Sequence, residues 1–175
     1  MLDKNGEILH PCILWNDTRS YKQASILDKE ENLREITGNI VFPGFTAPKL
    51  LWIQDNKPEL FEQVAKVLLP ASYLGYYLTG EFFMDMSDAA GTSWLDVGNR
   101  CWSEYALKAS NMRSDQMPKL LEGTQVASSV SEFIADELGI PSGVSVVAGA
   151  GDNAAAACGV GTVSYTHLTL PTKRI

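Results

Sequence analysis

The amino-acid sequence predicts an α/β fold, and three adjacent segments near its C-terminal end carry the prediction. Residues 144–148 form a short apolar run typical of a buried strand, residues 149–153 form a glycine-containing turn, and residues 154–157 are four alanines with high helix propensity. In α/β proteins a strand, a tight turn and a helix follow one another in this way, and ligands gather at the carboxyl ends of the strands. The 175 residues, 45% hydrophobic and 20% charged, are ordinary globular composition and suffice for one domain or slightly more.

The first elements of the chain are predicted to be a hairpin and a helix. Turn-forming residues 3–6 lead into an apolar run at 7–15, interrupted by Pro11, which indicates a hairpin whose second strand ends near residue 15. Apolar residues at mostly helical spacing over 20–36 predict a single helix, and the Gly-Asn pair at 38–39 ends it.

Three more helices are predicted in the middle of the chain. The first covers 49–53, the second begins near Pro58, and the third covers 71–78 and is closed by Gly80. The second carries an apolar stripe that we assign to the core. The stripe consists of Leu60, Phe61, Val64, Val67 and Leu68.

Residues 80–102 are small and polar and predict a loop with one short strand at 94–97. Three short helices follow, at 104–109, 112–121 and 132–138. Ser103 and Ser131 are suitable N-caps for the first and third of these helices.

The composition argues against nucleic-acid-binding, membrane-spanning and disulfide-rich classes of protein. Fourteen Lys and Arg against 21 Asp and Glu give a net charge of −7 without a basic cluster, which argues against a nucleic-acid surface. No apolar run reaches the ~18 residues of a membrane span and the start lacks signal-peptide character, so we expect a soluble, cytoplasmic protein without a membrane partner. Three widely separated cysteines indicate neither a disulfide framework nor a zinc site.

The last segment, 164–175, differs from the rest of the chain. It holds no acidic residue, includes Lys173 and Arg174, and does not continue the α/β pattern. We therefore predict that 1–163 is the native domain and that 164–175 is a non-native tail.

The turn at 149–153 supports three interpretations. It fits the dinucleotide-binding form G-x-G-x-x-A, but no Asp or Glu follows Asp152 to hold a ribose. Alternatively, Asp152 accepts a proton from a bound hydroxyl while Gly149 and Gly151 allow close approach of a phosphorylated ligand. Asp152 as a simple N-cap is almost equally compatible with the spacing.

Two other polar groups are candidate ligand contacts. Trp15 and Asp17 could form a sugar-binding edge, although a core Trp followed by a salt-bridged helix start is favoured by the sequence alone. Asp85, Asp88 and Thr92 could line a polar pocket, but turn capping is the more conservative interpretation. The two histidines, His10 and His167, support no hydrolytic triad.

Residues 44–56, GFTAPKLLWIQDN, resemble the first signature of the FGGY carbohydrate kinases. Three further blocks agree with that family, namely 13–19, 85–97 and 149–155, and their wording is most similar to that of the members that act on xylulose. The resemblance implies an incomplete ribonuclease H-like lobe of a two-lobed kinase of the actin and hexokinase type.

The resemblance also implies an activity and roles for the candidate site residues. Such kinases transfer the γ-phosphoryl group of ATP, with Mg²⁺, to a sugar hydroxyl, here the 5-hydroxyl of D-xylulose. Asp152 matches the general base, Asn153 and Trp15 match sugar-contacting positions, and Asp17 joins them as a substrate-binding candidate. Gly149 and Gly151 are assigned to phosphate binding, no residue is assigned as a metal ligand, and a homodimer is compatible with the family.

The family's two phosphate loops, its Met-His sugar element and its second lobe have no counterpart in this sequence. We therefore expect the chain alone to be inactive. Two alternatives stay open: a non-catalytic carbohydrate-binding or assembly module, and a kinase for another ketose or polyol.

Overall fold

The computed structural model describes residues 1–161. The helices in this part of the chain are α1 Tyr21–Leu27, α2 Leu33–Thr37, α3 Thr46–Asn56, α4 Pro58–Phe61, α5 Pro70–Thr79, α6 Met86–Ala90, α7 Glu104–Ala109, α8 Glu132–Leu138 and α9 Asp152–Gly159, with a 3₁₀ turn at Ser114–Gln116. The strands are β1 Phe83–Asp85, β2 Leu95–Asp96, β3 Cys101–Trp102, β4 Lys119–Leu121, β5 Val126–Ser129 and β6 Ser145–Val147. None of the described helices is long and apolar enough to cross a bilayer.

The strands form three small two-stranded sheets. β1 and β4 pair in parallel with Met84 opposite Leu120, whereas β2 pairs with β3 and β5 with β6 in antiparallel fashion. A parallel pair needs a crossover connection, and here the β2–β3 hairpin and α7 provide it. Helices and strands are mixed along the chain, which confirms the predicted α/β class.

The main hydrophobic core lies where α1, α2, α3 and α7 meet. Its largest fully buried side chain is Trp94, which is 1% exposed and packs in one cluster with Leu27 and Leu107. The indole Nε1 donates a hydrogen bond of 2.7 Å to Ser110 Oγ, so the polar atom of this buried ring is satisfied.

One prediction for the first forty residues is confirmed only in part, and a second is wrong. The hairpin turn is present, with Leu2 bridged to Ile8 in antiparallel fashion and Asp3 N donating to Glu7 O at 3.0 Å. Its second strand does not continue to residue 15 among the described residues, since Pro11 cannot donate to a ladder. The helix predicted over 20–36 is two helices, α1 and α2. Asn32 separates them in a left-handed conformation with φ of 66°.

The apolar stripe after Pro58 is core, but only its beginning is helical. α4 ends at Phe61, and Val64 and Val67 are buried from an irregular segment. Backbone bonds at this point go to distant partners, since Ala65 N donates to Leu2 O and Val67 N donates to Gln116 O. Long-range pairing therefore replaces the local helix.

The helix predicted over 112–121 is also wrong. This segment contains the 3₁₀ turn and β4, because Pro118 has no N–H to continue a helix and Lys119–Leu121 pairs with β1. In the segment 80–102, β2 lies within the strand predicted at 94–97, whereas β1, α6 and β3 were not predicted. β5 was not predicted either.

Local capping signals are confirmed where they were predicted. Ser103 Oγ accepts from Ala106 N at the start of α7, and Ser131 Oγ accepts from Ile134 N at the start of α8. Gly80 ends α5 with φ of 79°. β6 and α9 form as predicted, but Ser145 and Val147 are exposed, so the strand is not the buried one we expected. The predicted tail, 164–175, lies outside the described residues and stays a prediction.

Candidate active site

The candidate base lies at the start of α9. β6 ends at Val147 and α9 begins at Asp152, so the carboxylate stands where a strand gives way to a helix. Asp152 Oδ1 accepts a 2.7 Å bond from Asn153 N, and within residues 1–161 Oδ2 accepts none. One carboxylate oxygen is thus available to a ligand.

Asp152 faces a cavity of about 1260 Å³ that it shares with Trp15 and Asn153. The indole of Trp15 is not a core ring: 81% of the residue is exposed. Asp152 and Asn153 are exposed as well. The structure therefore brings three of the four predicted catalytic and substrate-binding residues to one cavity.

Aromatic side chains form one wall of the cavity. The rings of Phe42 and Phe45 contact each other in a tilted arrangement, with centroids 4.2 Å apart, and line the cavity together with Trp15. Gly44 lies between them, and a Cβ there would come within 2.8 Å of the carbonyl oxygen of Trp15. Only glycine fits this close approach of two backbone segments.

Lys49 bonds to both backbone segments of this wall, one at Ile13 and one at Gly44. Its ammonium donates to Gly44 O at 2.8 Å and to Ile13 O at 3.2 Å, and the residue is buried. Burial lowers the pKa of Lys49 from its ordinary value, partly offset by Cys12 and Asp17. A buried cation thus fixes the position of the backbone next to Trp15.

Two acidic residues lie at the start of α6, and the second of them is close to the glycine turn. Asp85 is the N-cap of α6, and its Oδ1 accepts from Ser87 N at 2.8 Å and from Asp88 N at 3.0 Å. Asp88 lines the cavity. Desolvation raises the pKa of its carboxyl, and the charges of Asp85 and Asp152 raise it further.

Pocket lining and turn capping were both considered for this acidic segment, and the structure shows that they apply to different residues. Asp85 caps a helix, and Thr92 is a buried turn residue whose Oγ1 donates to Ala89 O and accepts from Trp94 N. Turn capping is confirmed for both. Asp88, in contrast, lines the cavity.

Asp17 is not among the residues that line the cavity. Arg19 Nε donates to both of its carboxylate oxygens at 3.0 and 2.9 Å, and the Arg19 guanidinium also lies over the Trp52 ring at 4.9 Å. These hydrogen bonds lower the pKa of Asp17 below its ordinary value. The ion pair just before α1 agrees with the salt-bridged helix start that the sequence favoured, but Trp15 is not a core residue. A sugar contact for Asp17 stays a prediction.

The two turn glycines are held by the protein itself. Gly149 has φ of 81° and donates its N–H to Gly123 O at 3.0 Å, and Gly151 donates its N–H to Ser87 Oγ at 2.8 Å. A Cβ on Gly151 would lie 2.7 Å from Asp88 Oδ1. Gly151 thus packs closely against the Asp88 carboxylate. Phosphate binding by these glycines stays a prediction.

Comparison with known proteins identifies the family. Residues 1–159 match the N-terminal domain of the FGGY family of carbohydrate kinases. The chain belongs to the FGGY family of carbohydrate kinases. The resemblance noted at 44–56 is confirmed.

Relatives and solved structures agree with this FGGY assignment. The chain is 51% identical over 171 residues to a xylulose kinase of Escherichia coli, covering 97% of this chain and 35% of that protein. It resembles the crystal structure of a xyloylose kinase from Brucella ovis with a TM-score of 0.87 and 53% identity, over 90% of this chain and 33% of that one. A ligand-bound xylulose kinase from Lactobacillus acidophilus gives a TM-score of 0.85 at 27% identity, over 91% and 33% of the two chains.

These neighbours confirm the ribonuclease H-like fold of the kinase lobe. The chain spans about a third of the length of the relatives it matches.

Three features of this FGGY site were missed by sequence reasoning. The aromatic pair Phe42 and Phe45 and the cation Lys49 lie within or beside the 44–56 signature, which signalled their importance without indicating a role. The approach of Asp88 to Gly151 joins residues 63 positions apart, and no local pattern indicates it.

Proposed function

We propose that this chain supplies the sugar-binding wall and the general base of an ATP-dependent kinase that converts D-xylulose to D-xylulose 5-phosphate. The observation that carries the proposal is that Asp152, at the start of α9, lines the same cavity as the exposed indole of Trp15. The printed names of the relatives, xylulose kinases at up to 51% identity, support xylulose as the acceptor.

The two walls of the cavity suit the two faces of a sugar. Trp15, Phe42 and Phe45 offer ring surface for C–H groups, while Asn153 and Asp152 offer groups that bond hydroxyls. Polar and apolar groups that converge in this way fix the orientation of a small ligand. Substitution of Trp15 is expected to weaken sugar binding.

Asp152 has a simple task in this proposal. As the sugar oxygen bonds to the γ-phosphorus and the bond to the bridging oxygen of ADP breaks, the hydroxyl proton passes to the free Oδ2 of Asp152. In a loose transition state the proton leaves late, so the carboxylate first orients the hydroxyl and then accepts the proton. Alignment of the reacting atoms is the main contribution that phosphoryl transfer requires.

ATP supplies the transferred phosphoryl group, and Mg²⁺ accompanies it as a counter-charge. Within residues 1–161 no three His, Cys, Asp or Glu side chains come together as a metal site, so we assign no magnesium ligand to them. The remaining contacts to ATP belong, in this proposal, to the rest of a full-length enzyme. The 175-residue chain alone is therefore expected to be inactive, and xylulose phosphorylation by it would contradict this part.

Substitution of the base tests the proposal in a full-length kinase that contains this chain. Asp152→Asn keeps the shape of the side chain but removes its capacity to accept a proton. We expect turnover to fall by about 10² to 10⁴, with sugar affinity retained. A coupled assay of ADP release measures turnover, and titration calorimetry with D-xylulose measures affinity.

A matched substitution serves as the control. Asp115→Asn alters a carboxylate that pairs with Arg113 outside the cavity, and it should leave turnover unchanged. Unchanged turnover in Asp152→Asn would overturn the base role. Sugar binding without any phosphoryl transfer by the full-length protein would favour the non-catalytic module, and preference for another ketose or polyol in a substrate panel would correct the acceptor.

We also propose that the full-length kinase is cytoplasmic and forms a homodimer. Sedimentation of the full-length protein tests the homodimer, and a monomer at assay concentration would contradict it.

A further inference from the structure

A hydrogen-bond chain links α6 to the residue immediately before Asp152. Ser87 Oγ donates to Asp85 Oδ1, and Gly151 N donates to Ser87 Oγ at 2.8 Å. Asp85 is 4% exposed and is itself fixed by the N–H groups of Ser87 and Asp88. A buried carboxylate thus reaches the glycine turn through one hydroxyl, across 64 positions of sequence.

The direction of this chain follows from the chemistry of a hydroxyl. Serine has one O–H to donate and two lone pairs to accept. Because the hydroxyl of Ser87 donates its hydrogen bond to Asp85, a lone pair of Ser87 Oγ is left to accept from Gly151 N–H. Asp85 therefore orients the Ser87 hydroxyl so that its oxygen accepts from Gly151 N–H.

Gly151 is held on both sides of its α-carbon. Its N–H goes to Ser87, and its carbonyl accepts from Ala155 N at 2.9 Å as the first bond of α9. Asp88 Oδ1 occupies the space that a Cβ of residue 151 would need. As a glycine, Gly151 has no side chain with which to cap α9, so the tether from Ser87 fixes the start of this helix.

We propose that Ser87, oriented by Asp85, is a positioning residue that fixes Gly151 and thereby aims the Asp152 carboxylate into the cavity. This inference rests on the proposed function of Asp152 as the base. Ser87 acts through the backbone of the turn and does not itself touch the reacting atoms. Removal of the Ser87 hydroxyl therefore lowers kcat more than it weakens sugar binding.

Three substitutions of Ser87 test the inference. Ser87→Ala removes the acceptor, Ser87→Cys keeps the volume but offers a weak one, and Ser87→Thr restores a hydroxyl. In a full-length kinase that contains this chain, we expect Ser87→Ala to reduce kcat by roughly 10- to 100-fold, because small misplacements of catalytic groups have effects of that order. The KM for xylulose should change little, and Ser87→Thr should recover most of kcat.

A second readout does not depend on activity. Amide hydrogen exchange by NMR in the 175-residue chain reports on Gly151 N–H directly. Ser87→Ala should speed its exchange by about tenfold, the effect of one lost hydrogen bond. If Ser87→Ala does not fold, Ser87→Cys carries both measurements, because its side chain fills the same space.

Ser103→Ala is the matched control. It removes another serine that caps a short helix, α7, and does not line the cavity. Loss of stability without loss of kcat is expected for it. The same behaviour in Ser87→Ala, or unchanged exchange at Gly151, would overturn the inference.

The two proposals can fail separately. If Asp152→Asn abolishes turnover while Ser87→Ala leaves kcat intact, the positioning role is wrong and the base role stands. If Asp152→Asn retains full turnover, the proposed function is wrong, whatever the exchange at Gly151 shows, and the catalytic consequence of Ser87 is overturned with it.

Discussion

The core around Trp94 and the end of the chain around Asp152 are built in opposite ways. Trp94 is 1% exposed and is enclosed by helices α1, α2, α3 and α7, whereas α9 has no buried residue within the described chain. The turn before α9 is held instead by backbone bonds, from Ala148 N to Gln125 O and from Gly149 N to Gly123 O, and by Ser87. Packing stabilises the first region, and a few directed hydrogen bonds orient the second.

The largest expected loss of stability is in the packed core around Trp94. Trp94→Ala removes the central ring of the core and leaves a cavity, so we expect the free energy of unfolding to fall by about 3–5 kcal/mol. Urea denaturation of the 175-residue chain measures it. Val147→Ala, at a residue that is 50% exposed, should change the free energy by no more than about 0.5 kcal/mol. Similar losses in both variants would contradict the contrast between the two regions.

A smaller effect is expected at the glycine turn. Gly149 has φ of 81°, and nothing lies within 4 Å of a Cβ placed on it, so the penalty of Gly149→Ala comes from backbone conformation alone. We expect a loss of about 1–2 kcal/mol in the free energy of unfolding. Gly159→Ala, in α9 with similarly open space, should have the opposite sign and stabilise by up to about 1 kcal/mol. A gain in stability for Gly149→Ala, measured by the same urea titration, would show that this conformation is not required.

The smallest effect concerns the charge of Asp88. Because its pKa in the folded chain is raised, ionisation of Asp88 disfavours folding at neutral pH, and this penalty disappears below the ordinary Asp pKa of about 3.9. Asp88→Asn should therefore raise the free energy of unfolding at pH 7 and have little effect at acidic pH.

Asp115→Asn provides a control of opposite sign. Hydrogen bonds from Arg113 lower the pKa of Asp115, so its contribution to stability is present above the ordinary Asp pKa and lost as the pH falls. This variant should slightly destabilise the chain at pH 7. Urea titrations at several pH values measure both variants, and a loss of stability at neutral pH in Asp88→Asn would refute the unfavourable charge.

The sequence predicted local features well and distant ones poorly. Ser103 and Ser131 cap the helices they were expected to cap, because a cap depends on the next three residues only. The parallel pairing of β1 with β4 and the bond from Ala65 N to Leu2 O depend on segments far apart, and no local pattern specifies them. Two segments that were wrongly assigned to helices, 62–68 and 119–121, have backbone groups that bond across such distances. The break in the helix predicted over 20–36 is local and lies at Asn32.

The same division applies to the candidate site. Asp152 was predicted because a strand, a glycine turn and a family motif all converge on it. Trp15 was an open alternative, since its sequence neighbours do not reveal whether the ring is buried. The contacts of Ser87 and Asp88 with Gly151 were not predicted, because they join segments that are far apart in the sequence.

The bare indole of Trp15 gives the chain a built-in reporter. An indole in water emits at longer wavelength than one in an apolar core, so the emission of Trp15 should lie to the red of that of Trp94, which is sealed from solvent. Iodide should quench the exposed ring first. A sugar bound against this ring would shield it from iodide and shift its emission to the blue. Binding in the cavity can therefore be followed by tryptophan fluorescence without a label.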